Sequence, residues 1–202
     1  MSARDELWPR RRLLRLAGLA CAAAVGPARA GIDMGARHLR VVRQPVDRLP
    51  AIPMVDMFGQ HERLDRALDT GDVPMLLGFI FTTCSSSCSV LTAIMSEVQK
   101  KAMAARRDLR LASITIDPDN DTPSALRAYA GRFSVGPGWR FYTGRFDDLL
   151  EVQRRFDVYR GSKGSHPPVL LLRTSLKSGW MRIEGFPTPE DIVDLMVSGP
   201  TA

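Results

Sequence analysis

Met75-Leu-Leu-Gly-Phe-Ile-Phe-Thr-Thr-Cys84-Ser-Ser-Ser-Cys88-Ser-Val90-Leu-Thr-Ala-Ile-Met-Ser-Glu-Val-Gln99 decides how the rest of this chain is read. Its first seven residues are an apolar run with the length of a buried strand. From Val90 the apolar spacing is helical. Between the two lie two thiols four residues apart, the interval that stacks side chains on one helix face. A helix N-terminus carries partial positive charge and favours thiolate over thiol, and thiolate is both the nucleophile and the metal ligand.

Downstream, the pattern repeats. Leu109 to Ile116 reads as a second buried strand and Asp117 to Pro123 as a turn. Thr122 is a good N-cap and Pro123 a good first residue for a helix over 124–133. Trp139 to Tyr142 is a short strand, and Phe146 to Phe156 has helical spacing. Pro168 to Arg173 and Gly179 to Ile183 alternate like paired strands around a turn at Lys177-Ser178. Thr188-Pro189-Glu190 opens a last helix ending near Val197. Upstream, residues 52–58 and those after Gln60 suggest a hairpin turning at Gly59. The order hairpin, β, α, β, α, β, α, β, β, α predicts a three-layer α/β sandwich of thioredoxin-like architecture with an extra N-terminal hairpin. Ligands in such sheets sit at the carboxyl ends of the strands, where Cys84 lies.

The first 30 residues read as an export signal. Arg10-Arg-Arg12 is a basic start, Leu13 to Val25 is apolar but short for a membrane span, and Ala28-Arg29-Ala30 fits signal peptidase. Arg10-Arg11 suits either the Sec or the twin-arginine route. An uncut segment would instead tether the chain to a membrane. Either way the domain is expected in the periplasm or another extracytoplasmic space. Residues 31–50 are polar, basic and aperiodic, which predicts a flexible tether before a single domain over 51–202. The signal holds six of the 28 Lys/Arg and two of the 22 Asp/Glu, leaving 22 and 20 and a net charge of +2 where the full chain has +6. The basic character belongs to the signal and does not argue for nucleic acid as a partner. Cys21 leaves with it, so the exported chain keeps one cysteine pair. A disulfide across so short a loop stabilises a fold little, which points to redox or metal chemistry.

The histidines are His38, His61 and His166. His38 falls in the tether and His61 in the first hairpin, both read as solvated. His166 ends a Gly-rich loop, Gly161-Ser-Lys-Gly-Ser-His166, entering a strand. In this architecture that loop folds over the cysteine turn, so His166 either reaches both sulfurs or is a solvent-facing loop residue. Two thiolates and an imidazole suit copper, because sulfur selects Cu(I) and imidazole helps hold Cu(II). Zinc usually takes a fourth protein ligand. Met54, Met57, Met75, Met95 and Met103 read as packing residues. Asp117, Asp119 and Asp121 alternate but lack the Gly and distal Glu of an EF-hand, so a turn and a helix cap account for them.

Phe79-Ile-Phe-Thr-Thr-Cys84-Ser-Ser-Ser-Cys88, Ile114-Thr-Ile-Asp117-Pro-Asp-Asn-Asp121-Thr-Pro123, Leu126-Arg-Ala-Tyr129, residues 139–144 and the late His166 together resemble the Sco/SenC copper-chaperone family. The resemblance covers about residues 52–197. It implies copper, as Cu(I) or Cu(II), on Cys84, Cys88 and His166. It also implies a role in maturing the binuclear copper site of cytochrome c oxidase, with subunit II or another cuproprotein as partner. The same pair, Cys84 and Cys88, would serve a thiol–disulfide oxidoreductase that reduces a partner's cysteines without keeping copper. A peroxidase reading is weaker, since Phe81 stands where that motif has Thr. Three features depart from the family pattern: Ser85 and Ser89 follow the cysteines in place of Pro, Ser165 replaces the Asp before the histidine, and the segment 159–166 is short.

Overall fold

A computed structural model describes residues 39–46 and 48–198. The strands are β1 (Arg40–Gln44), β2 (Pro53–Asp56), β3 (His61–Arg63), β4 (Met75–Ile80), β5 (Arg110–Thr115), β6 (Trp139–Thr143), β7 (Val169–Arg173) and β8 (Trp180–Glu184). The helices are α1 (Leu64–Ala67), α2 (Ser87–Ala104), α3 (Pro123–Ala130), α4 (Phe146–Arg155) and α5 (Pro189–Ser198), with a 3-10 turn over Lys163–Ser165.

All eight strands form one sheet in the order β1-β8-β7-β4-β5-β6-β2-β3. Strands β4, β5 and β6 run parallel, and the outer pairs are antiparallel. Every residue of β4 is buried because the strand is central and covered on both faces. Its alternation sorts the core. Met75, Leu77 and Phe79 join the cluster under α1 and α4, which includes Leu64, Leu149 and Val152. Leu76 and Ile80 join the cluster under α2, α3 and α5, which includes Met95, Leu126 and Ile192. Both parallel crossovers step the same way across the sheet, which leaves α2 and α3 on one face. A Cβ at Gly78 would stand 3.0 Å from the Met95 sulfur, so the absence of a side chain there lets α2 seat closely on β4.

This is the thioredoxin-like α/β sandwich expected from the pattern. The hairpin β2–β3 turns at Gly59, whose φ of 82° suits glycine. Thr122 caps α3 by accepting the Ala125 N–H at 3.3 Å, and Pro123 is its first residue. One expectation is corrected. Arg40–Gln44 lies inside the stretch read as a tether, yet it forms β1, paired antiparallel with β8 and carrying an Arg40–Glu184 ion pair at 3.2 Å. An edge strand pairs on one side only and tolerates charge. Arg40 and Arg43 flanking two valines therefore mask its periodicity. The proposed signal, with Cys21, and residues 31–38, with His38, lie outside the described residues.

Candidate thiol and metal site

β4 ends at Ile80, and residues 81–86 carry the chain over the carboxyl end of the sheet into α2. Thr82 fixes this loop. Its backbone N–H lies 3.1 Å from each carboxylate oxygen of Asp121, and its hydroxyl donates to Oδ1 at 2.5 Å. Asp121 is fully buried and also accepts the Thr115 hydroxyl. On the other side of the same residue, Arg132 Nη2 donates to the Thr82 carbonyl at 3.3 Å, its guanidinium lying 4.6 Å from the Tyr129 ring centroid. The Cys84 N–H closes a turn onto the Phe81 carbonyl at 3.0 Å. The Ser89 hydroxyl donates to the Cys84 carbonyl at 3.1 Å. Below Cys88, the Thr92 hydroxyl donates to the Cys88 carbonyl at 2.8 Å and pairs with the Tyr129 hydroxyl at 2.9 Å.

Both cysteines are free and buried, Cys84 at 8% and Cys88 at 1% exposure. Their acidities are split. Burial acts to raise the Cys84 pKa. It is outweighed by donation from the Cys88 thiol, from the N–H groups of Cys88 and Ser86, and from the Ser86 hydroxyl, and the value falls from 9.0 to about 7. Cys88 goes the other way, to about 12, because it is deeper and because the Cys84 sulfur stabilises it as a proton donor. Between about pH 7 and pH 12, the pair therefore holds mainly one proton between two sulfurs.

His166 is placed elsewhere. It follows the 3-10 turn, with its ring edge-on to Phe79 at 6.4 Å between centroids. Phe79 belongs to the cluster under α4, whereas Cys84 and Cys88 belong to the cluster under α2. The ring lines a cavity of about 170 Å3 with Ile116, Asp117, Val158, Tyr159 and Lys163. Both ring nitrogens are buried with no hydrogen-bond partner. Burial lowers the His166 pKa below 6.5, and the backbones of Val158 and Phe79 oppose that shift without completing a bond. The structure thus brings Cys84 and Cys88 together and leaves His166 apart from them. Among the described residues, no three His, Cys, Asp or Glu side chains are grouped as a metal site. His61 is exposed on β3. Met54, Met57, Met75 and Met95 are buried packing residues, while Met103 faces solvent.

The aspartates act as the turn reading expects, but the sequence analysis missed what two of them hold. Asp121 anchors Thr82 across 39 residues. Asp117 accepts the Asn120 amide at 3.0 and 3.1 Å and the Lys163 ammonium at 2.5 Å, 46 residues away. The one available signal was Thr82 and Thr115, hydroxyl donors at the ends of two adjacent parallel strands.

Residues 56–169 match the family model described as SCO1/SenC, a span that contains Cys84, Cys88 and His166. The chain belongs to the SCO1/SenC family. A protein of Bacillus subtilis (strain 168) called SCO1 protein homolog is 40% identical over 77 residues, which are 38% of this chain and 40% of that protein. A SCO2-like protein of Rickettsia conorii is 32% identical over 84 residues, 42% of this chain and 40% of that protein. The chain spans about two fifths of the length of these curated relatives. Among solved structures, BsSco, described as a member of the Sco family of cytochrome c oxidase assembly proteins, aligns with a TM-score of 0.63 at 23% identity. The alignment covers 79% of this chain and 96% of that one. ScoI of Bradyrhizobium japonicum, solved with copper bound, aligns with a TM-score of 0.60 at 20% identity over 74% of this chain and 98% of that one. At these identities, the structural likeness establishes the shared fold.

Proposed function

We propose that this SCO1/SenC protein is an extracytoplasmic copper chaperone. Its cargo would be Cu(I) on Cys84 and Cys88, with His166 added for Cu(II). Its client would be the binuclear copper site of cytochrome c oxidase, in subunit II, or another cuproprotein. The observation that carries the reading is the sulfur pair: two buried cysteines four residues apart, one favouring thiolate near neutral pH. Thiolate sulfur is the donor that selects Cu(I). The donor set fits the metal in a second respect. His166 is neutral near pH 7 and its two nitrogens are without partners, so it has an electron pair to offer. Ser165 leaves it without the carboxylate neighbour that the family pattern has, and partners of that kind commonly change metal affinity about 10- to 100-fold.

Titration of the reduced protein carrying Cys21→Ser tests this. One copper per chain is expected, lost in Cys84→Ala, with His166→Ala weakening Cu(II) more than Cu(I). Unchanged stoichiometry and affinity in Cys84→Ala would sink the proposal.

A second reading rests on the unequal acidities. A thiol with a pKa near ambient pH is the best attacker of a disulfide. Cys84 thiolate would attack a partner's disulfide and displace one partner sulfur as thiolate. Cys88, losing its proton, would then close on Cys84 and release the second, leaving the partner dithiol and a Cys84–Cys88 disulfide. A protein that reduces partner cysteines stoichiometrically and never retains copper would favour this reading over the first.

A further inference from the structure

His166 is grouped apart from the sulfurs, and contacts of its own segment hold it there. The 3-10 turn puts the Lys163 Nζ 2.5 Å from Asp117 Oδ2 and 5.7 Å from the Phe81 ring centroid. Asp117 is a fixed post: its N–H donates to the Thr115 hydroxyl at 2.9 Å, and both carboxylate oxygens accept from Asn120. The turn itself is stiff. The Ser165 N–H reaches the Ser162 carbonyl at 3.1 Å, and the His166 N–H reaches the Lys163 carbonyl at 3.2 Å. The Ser162 and Ser165 hydroxyls pair at 3.1 Å. A restraint on Lys163 is therefore passed to His166 within one turn.

The rest of this segment is exposed, and its other hydrogen bonds run to residues within three positions. Among the described residues, Lys163 to Asp117 is the hydrogen bond that ties residues 160–165 to the body of the domain. Against it works the cost of two buried ring nitrogens with no partner. A half-exposed ion pair is worth little, so a small change suffices to release it.

We propose that Lys163–Asp117 is a latch that stores His166 against Phe79, and that opening it admits His166 to Cys84 and Cys88. Lys163 and Asp117 are then positioning residues for the third copper ligand. This rests on the copper reading above. The apparent Cu(II) affinity is the intrinsic affinity reduced by the fraction of chains with the latch open.

The test begins with the reduced, metal-free, full-length protein. Carbethoxylation of His166 by diethyl pyrocarbonate is followed by mass spectrometry of its peptide in the parent, in Lys163→Ala and in Asp117→Asn. Each variant is expected to raise the His166 rate roughly two- to fivefold, the range that an exposed ion pair can supply. An unchanged rate in both overturns the latch.

Cu(II) titration supplies the second arm. Lys163→Ala removes a positive charge and Asp117→Asn a negative one. Opening a latch tightens Cu(II) in both, by a similar factor. Shifts of opposite sign are plain electrostatics and overturn the proposal. His166→Ala separates this failure from failure of the copper reading. If it leaves Cu(II) affinity unchanged, the ligand assignment is wrong and the latch has no metal role. If it weakens Cu(II) while Lys163→Ala alters neither rate nor affinity, the ligand stands and the latch is overturned.

Discussion

The carboxylate of Asp121 accepts both the backbone N–H and the hydroxyl of Thr82, 39 residues earlier, and so binds the start of the cysteine loop to the end of β5. Asp121 has no exposed surface, and its other oxygen takes the Thr115 hydroxyl. The loop that presents Cys84 is thereby tied to the sheet by one buried side chain.

Asp121→Ala should be among the most damaging single changes in the domain. It strands two hydroxyls and a backbone N–H, and losing a buried network of this kind costs about 3 kcal/mol. Urea unfolding of the reduced protein measures it. A loss below about 1 kcal/mol would show that Arg132, holding the Thr82 carbonyl, suffices alone.

The split acidities give the reduced protein a stability maximum near pH 9. Between pH about 7 and 9.0, the unfolded Cys84 keeps its proton while the folded one has lost it, so stability rises with pH. Between 9.0 and about 12, the unfolded Cys88 has lost its proton while the folded one retains it, so stability falls. Urea midpoints across this range should show the rise and the fall, and the double variant Cys84→Ser, Cys88→Ser should lose the rise and keep only a fall above about pH 10, where buried Tyr129 and Tyr142 resist ionisation. Alkylation should follow the same order, with Cys84 reacting with a midpoint near pH 7 and Cys88 staying inert.

His166→Leu should leave the metal-free protein as stable as the parent or about 1 kcal/mol more so, because an apolar side chain removes two unsatisfied buried nitrogens. Its stability should also become flatter in acid. Burial lowers the His166 pKa, so the folded state prefers the neutral ring, and that preference is lost as pH falls below 6.5. A thermal melt series from pH 7 to 5 on both proteins decides it. A markedly less stable Leu variant would mean that the ring packs better than its unpartnered nitrogens suggest.

Much of the fold was legible because its signals are local. The seven apolar residues from Met75 make a central strand since both sheet faces are covered. Thr122-Pro123 marks a helix start through its own hydroxyl and fixed φ. β1 was not legible, because an edge strand mixes Arg40 and Arg43 with valines that point to opposite faces. Its existence depends on β8, some 140 residues later. The candidate site divides in the same way. Cys84 and Cys88 could be found from spacing alone, whereas neither the Asp121–Thr82 anchor nor the Lys163–Asp117 pair has any short-range trace.

By itself the sequence determined the order of elements, the delivery of two thiols to the start of a helix, and the presence of a late histidine. Each of these follows from the periodicity or spacing of neighbouring residues. The tertiary structure decided which sulfur is acidic, since that depends on depth and on which N–H groups converge. It also decided that His166 packs against Phe79 and is not grouped with the sulfurs, since that depends on contacts between residues far apart in the chain.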